Sequence, residues 1–154
     1  MSELQKELRL GNAVKMKGGT TIFQVDNLEK EFVEISNINN PGNWAKVDYG
    51  MIEGIPITKE SIEKYIDWGF EKGFNKQMIE KEYWVEHQFL MENAIDGSSD
   101  FEIIVFEHKG DSELNKINYY IDDKLLEFGL DDTLHNLQNL FFISCGQELP
   151  IKKY

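Results

Sequence analysis

Residues 83–92 read Tyr83-Trp84-Val85-Glu86-His87-Gln88-Phe89-Leu90-Met91-Glu92, and their polarity repeats every second position. Tyr83, Val85, His87, Phe89 and Met91 fall on one side; Trp84, Glu86, Gln88, Leu90 and Glu92 fall on the other. Such alternation marks a strand, in which successive side chains point to opposite faces of a sheet. After the turn cluster Asp96-Gly97-Ser98-Ser99, a second strand is predicted over Phe101 to His108. Its run Ile103-Ile104-Val105-Phe106 predicts burial on both faces. Lys109-Gly110-Asp111-Ser112 turns the chain again, and Ile117 to Ile121 and Leu125 to Phe128 flank Asp122-Asp123-Lys124 as a hairpin. Asp131 or Asp132 then caps a closing helix that runs to about Cys145. Leu134, Leu137, Leu140 and Phe141 recur at helical spacing, and Gly146 stands at the stop position. Residues 83–154 therefore read as a three- or four-stranded antiparallel sheet with one helix packed on it.

Working back from residue 83, residues 58–82 read as a linking helix and loop. Thr58 is placed to cap the helix, Glu60 sits in its first turn, and Ile62, Tyr65 and Ile66 share a face. Trp68-Gly69 stops it, Phe70 and Phe74 tuck beneath it, and residues 75–82 carry no decisive pattern. Residues 1–57 hold five short β-like runs. Gly18-Gly19 predicts a two-residue hairpin between Asn12–Lys17 and Thr20–Asp26. Asn39-Asn40-Pro41-Gly42-Asn43 predicts a loop after Phe32–Ile38, with Trp44–Asp48 and Met51–Glu53 as the last two strands. Short strands so closely spaced suggest an SH3-like β-barrel or meander. The whole is α+β: an SH3-like module, a linking helix, and a sheet with its helix, or one compact unit of all three.

Composition narrows function by exclusion. The chain has 154 residues, 41% hydrophobic, enough for a packed core. Its longest apolar runs, Ile103–Phe106 and Leu140–Ile143, fall far short of the roughly 20 residues that span a bilayer. Met1 to Leu10 carries Glu3 and Glu7 and has no apolar core of a secretory signal. The single cysteine, Cys145, suits a reducing compartment, so the expected location is cytoplasmic. Net charge is −12, of which residues 83–154, with 14 acids and 5 bases, supply −9. A field of that sign repels nucleic acid and anionic lipid, and Arg9 is the only arginine available for bidentate phosphate contacts. Direct nucleic-acid or membrane partners are not expected.

No residue set assembles into a site. His87 and His108 fall on strands that can be neighbours, with Glu86, Glu102 and Glu107 close in sequence. Two imidazoles and a carboxylate suit a metal, yet no pair has the close spacing of local ligand sets. His135 lies near Asp131, Asp132 and Asn139 at helical spacing without a nucleophile, which favours a polar helix face or a bond to the adjacent sheet over a general base. Cys145 ends a helix at the negative pole of its dipole, which raises a thiol pKa and disfavours a reactive thiolate. Gly11 and Gly18-Gly19 fit no phosphate-binding spacing, and Asp122-Asp123 and Asp131-Asp132 fit no calcium loop. Trp84 shares a strand face with Glu86 and Gln88; exposed there it marks a partner surface, covered it is core. The expectation is therefore no catalytic residue, no metal and no cofactor.

Three segments carry a resemblance, the last of them in two parts. Glu7-Leu8-Arg9-Leu10-Gly11-Asn12, Ile55-Pro56-Ile57-Thr58 with Trp68-Gly69-Phe70-Glu71-Lys72, His135-Asn136-Leu137-Gln138-Asn139-Leu140-Phe141-Phe142, and Gly146-Gln147-Glu148-Leu149 resemble segments of small uncharacterised proteins of prophage and mobile-element regions in anaerobic gut-type bacteria. Those proteins end in a His-Gln-Leu-Gln-Asn-Leu-Tyr-Phe-like helix and a Gly-Glu-Glu-Leu-like tail; here Asn136 and Phe141 depart from that pattern. The resemblance implies a phage-related origin and carries no activity. The leading expectation is a non-enzymatic protein that contacts another protein. The rivals are an acidic decoy that imitates DNA before a nucleic-acid-binding enzyme, and a metal-assisted enzyme using His87, His108 or His135.

Overall fold

The computed structural model describes residues 3–67, 74–95, 99–127 and 131–152. The chain is α+β and divides into two compact units: Met1–Ile57 with Asp131–Ile143 and Gln147–Tyr154, and Thr58–Leu130 with Ser144–Gly146. Where the sequence grouped the closing helix with residues 83–130, the contacts group Asp131–Ile143 with the amino-terminal strands instead.

In the first unit a short helix, α1 (Glu3–Glu7), precedes five strands: β1 (Ala13–Met16), β2 (Ile22–Leu28), β3 (Phe32–Asn37), β4 (Asn40–Asp48) and β5 (Ile52–Glu53). They form one antiparallel sheet in the order β4-β3-β2-β1-β5, so β4 and β5 are its edges, β5 crosses over to pair with β1, and the sheet is open, not a closed barrel. Val14, Val25, Val33, Ile35 and Ile52 point inward with Leu8 and Tyr49 to make the core, and the Tyr49 hydroxyl donates to the Glu29 carbonyl at 2.7 Å. Two turns differ from expectation. Gly18-Gly19 is not a two-residue hairpin: Lys15 pairs with Ile22, and the Gly19 N–H closes a turn on the Met16 carbonyl with Gly18 at φ +75°. Nor is residues 39–43 a free loop. The reversal falls at Ile38-Asn39, Asn37 pairs with Asn40, and Ser36 pairs with Trp44, so Pro41 and Gly42 lie in a bulge of edge strand β4. An edge bulge is where a sheet tolerates a proline, which has no N–H to give its neighbour.

The second unit opens with α2 (Lys59–Tyr65). Thr58 caps it reciprocally with Ser61: Thr58 Oγ1 accepts from Ser61 N at 3.1 Å, and Ser61 Oγ accepts from Thr58 N at 2.7 Å. Five strands follow: β6 (Phe74–Glu80), β7 (Trp84–Ile95), β8 (Ser99–His108), β9 (Lys116–Ile121) and β10 (Lys124–Leu126), hydrogen-bonded in the order β10-β9-β8-β7-β6. Residues 75–80, within the stretch 75–82 that carries no decisive pattern, thus belong to an edge strand that begins at Phe74. The expected stop at Trp68-Gly69 and the packing of Phe70 lie outside the described residues. The β9–β10 hairpin turns at Asp122 and Asp123, with φ of +46° and +66°, as a primed two-residue turn requires.

Register assigns the faces. Trp84 pairs with His108, Phe89 with Ile103, and Ile103 with Tyr119. One face therefore carries Val85, His87, Phe89, Met91, Phe101, Ile103, Val105 and Tyr119. Phe89, Phe101 and Ile103 are fully buried. α2 lies against this face through Lys59 to Glu107 at 3.6 Å and an ion pair of Glu63 with Lys76. The closing helix, α3 (Leu134–Cys145), ends before Gly146 at φ +69°. Among the described residues no helix is long and apolar enough to cross a membrane.

Candidate functional site

The three histidines stand in three separate environments. His87 lies on the buried face of the second sheet, its Nε2 3.3 Å from Glu107 Oε1, in ion-pair range but outside hydrogen-bond geometry. His108 pairs with Trp84, three residues from His87, and strand parity puts the two imidazoles on opposite faces of the sheet. Register therefore rules out the rival reading in which His87 and His108 share one ion. His108 serves its turn instead: Nδ1 accepts from Gly110 N at 3.1 Å and Asp111 N at 3.0 Å, and its ring meets Trp84 edge-on at 4.8 Å. Among the described residues no three His, Cys, Asp or Glu side chains gather at metal-binding distance.

His135 belongs to a buried polar cluster in the first unit. α3 presents His135, Asn136, Gln138 and Asn139 to residues 7–13, a stretch between α1 and β1 whose backbone groups are only partly used by strands. Gln138 acts as a peptide group would: Oε1 accepts from Ala13 N at 2.7 Å and Nε2 donates to the Gly11 carbonyl at 3.2 Å. Asn139 Nδ2 donates to the Glu7 carbonyl at 2.8 Å, while its Oδ1 accepts from Asn12 Nδ2 at 2.9 Å and Arg9 Nε at 3.1 Å. Arg9 then forks onto Glu148 at 2.5 and 2.9 Å, and its guanidinium lies 4.4 Å from the Phe142 ring centre. Glu7 Oε2 accepts from His135 Nε2 at 2.8 Å and Asn136 Nδ2 at 3.2 Å. On the far side, Leu134 N donates to the Ile55 carbonyl at 2.8 Å and Ile57 N to the Asp132 carbonyl at 2.9 Å.

An imidazole oriented by a carboxylate is also the pattern of a general base. Here the ring is 1% exposed, and its second nitrogen faces Gly54, where a Cβ would stand 3.1 Å away. Burial lowers the His135 pKa against the opposing pull of Glu7 and Asp131, which disfavours the charged ring, and the Glu7 carboxylate beside Nε2 favours the tautomer protonated there. His135 Nδ1 and Asn136 Oδ1 are buried without a hydrogen-bond partner among the described residues. The cluster joins chain segments more than a hundred residues apart, and that is work of assembly. The sequence offered one clue to it: His135, Asn136, Gln138 and Asn139 interrupt the apolar stripe of α3 on faces that a solvated helix would fill with charge.

The second unit presents the other candidate. Opposite its buried face, register places Leu90, Ile104, Phe106, Trp84, Ile79 and Tyr120 on one side, interleaved with Glu86, Gln88, Glu102 and Asn118. The first six are half-buried, and Leu125, paired with Tyr120, is exposed. The expectation that Ile103–Phe106 is buried on both faces is thus corrected: Ile103 and Val105 are buried, whereas Ile104 and Phe106 are only partly covered. Glu102 lies between Leu90 and Tyr120 on the neighbouring strands, and Lys116 reaches over the Phe106 ring at 4.9 Å. Burial and then the carboxylates of Asp123 and Asp100 raise the Glu102 pKa. Glu86 is partnered by Lys81 at 3.3 Å. Of the other tryptophans, Trp44 is 65% exposed on edge strand β4, and Trp68 lies outside the described residues. Comparison with protein-family models, curated proteins and solved structures finds no match for the chain.

Proposed function

We propose that the protein is a non-enzymatic binding protein whose contact surface is the Leu90–Ile104–Phe106 face of the second sheet. One observation supports this reading above the rest: β8 spends apolar residues on both faces, and one of those faces is only half-covered. An antiparallel sheet with one solvated face ordinarily alternates apolar with polar residues. Ile104 and Phe106 break that alternation on β8, Leu90 and Tyr120 stand diagonal to Ile104 on the neighbouring strands, and Trp84 adds an aromatic of the kind enriched at interface centres. The phage-related origin implied by the resemblance suits a protein that works by occupying another.

The test compares wild type with Ile104→Asp after circular dichroism has shown both to be folded. A stoichiometric partner recovered from host lysate by wild type and lost with Ile104→Asp is the expected result. Equal recovery by both chains, or no partner at any ionic strength, overturns the reading.

A further inference from the structure

Taking the open face as a protein-binding surface, we infer that its partner presents a Lys- or Arg-bearing apolar segment, seated with the cation at Glu102 and the apolar side chains along Leu90, Ile104 and Phe106. The charge pattern of the face carries this. Glu102 stands within the apolar patch, flanked across the strands by Leu90 and Tyr120. The charged groups that act on it are the carboxylates of Asp123 and Asp100, which repel its negative charge. A carboxylate among apolar neighbours and like charges is held at a cost that a bound cation relieves, because opposite charge restores what burial removed.

The end of the sheet that holds Glu102 has the same sign. Glu92 lies on this face, where Asn75 Nδ2 donates to its Oε1 at 2.9 Å, and Asp122 Oδ1 accepts from the Asp100 N–H at 3.0 Å at the same end of the sheet as Glu102. Glu86 has its own cation in Lys81, and Lys116 is stacked on Phe106. Glu102 is therefore the position where an incoming cation gains most. A second copy of the chain is a poor occupant by the same logic: each copy carries −12, and like faces would bring carboxylates toward carboxylates. A phosphate-bearing or anionic lipid surface is repelled. The patch also differs from a pure acidic surface, since Leu90, Ile104 and Phe106 would be stranded beneath a partner that used charge alone.

The experiment titrates the full chain with four synthetic octapeptides: Leu-Lys-Val-Lys repeated, its Glu and Ser counterparts, and octalysine, followed by calorimetry and tryptophan fluorescence. The Lys–apolar peptide is expected to bind at least about tenfold tighter than its Glu counterpart, as charge complementarity between matched surfaces requires. Glu102→Gln should weaken it roughly threefold or more, a loss of the order of one exposed ion pair. Ile104→Ser should weaken it about fivefold or more through lost apolar contact. If the Ser or Glu peptides bind as tightly and Ile104→Ser still weakens them, the face binds protein but the basic partner is overturned. If octalysine binds equally well, steeply weakened by salt and indifferent to Ile104→Ser, the surface is an acidic decoy and the inference fails. If none binds, or if wild type self-associates and Ile104→Ser abolishes it, both the inference and the reading beneath it fall.

Discussion

Gly54 leaves the space that the His135 ring fills: a Cβ at residue 54 would stand 2.8 Å from His135 Cε1 and 2.9 Å from Thr133 Cγ2. Neither group can move aside easily, because His135 is held by Glu7 and Leu134 is tied to Ile55. Gly54→Ala should therefore destabilise the protein by about 1–3 kcal/mol, the usual cost of forcing extra volume into a packed site. In a His135→Ala background the added cost should shrink. Urea unfolding of the four chains of this cycle measures the coupling, and strict additivity would show that the two residues do not compete for space.

Gln138 bridges Gly11 and Ala13, and Ala13 is buried. Gln138→Leu keeps the volume and strands both backbone groups, so a loss of roughly 2–3 kcal/mol is expected from unsatisfied polar atoms. Gln138→Glu keeps the acceptor for Ala13 N but buries a charge, and should be worse. Amide exchange at Ala13 should rise in Gln138→Leu, which removes its acceptor. Protection unchanged from wild type would mean that the bridge does not hold the strand.

Acid should loosen the first unit through His135. Burial holds this ring below its ordinary pKa of 6.5, so the unfolded chain takes up the proton first as pH falls. The stability it confers is present above that value and is lost as pH drops below it toward the folded pKa. A protonated ring would also bury an Nδ1–H facing Gly54 without an acceptor. Urea midpoints of wild type should fall between about pH 7 and 5.5, and His135→Asn should flatten that slope. An identical slope in the variant would assign the effect to other groups.

Ile103 and Ile104 are neighbours in sequence with different fates. Ile103 is wholly buried, so Ile103→Ala should cost about 2–5 kcal/mol; Ile104→Ala, on the half-covered face, should cost less than half as much. Equal losses by calorimetry would mean that both faces are covered, which would remove the basis for a docking surface.

The β9–β10 turn holds Asp122 and Asp123 at positive φ, where an L side chain is strained. Asp122 uses its carboxylate to accept the Asp100 N–H, but no comparable hydrogen bond offsets the strain of Asp123 among the described residues. Asp123→Gly should raise stability by up to about 1 kcal/mol by relieving it. An unchanged or lowered melting temperature counts against that.

Much of the fold could be read from local pattern. The alternation over 83–92, the apolar run at 103–106 and the Asp122-Asp123 turn each specify strands by period and turn chemistry alone, and Thr58 announces α2. Where longer-range contacts decide, the sequence was silent. Residues 75–80 look featureless because an edge strand needs only one partner. Pro41-Gly42 signals a loop yet sits in a bulge. The grouping of α3 follows from Gln138 and Asn139 meeting backbone groups 127 and 132 residues away, which no window of sequence contains. The open face was missed for a related reason: Ile104 and Phe106 look like core until register shows how little covers them.

The bonding of residues 7–13 to α3 also has a temporal side. During translation, the stretch around Gly11 leaves the ribosome long before Gln138 exists, and at about 5–20 residues per second the wait is on the order of ten seconds. Throughout that interval the nascent amino-terminal sheet carries unpaired amides and carbonyls at its threshold, while the hairpins of the β6–β10 sheet, whose pairing is nearly all between sequential strands, are free to form. Completion of the earliest-made strands thus depends on the latest-made helix, and a ribosome stalled before α3 would leave the amino-terminal sheet unfinished.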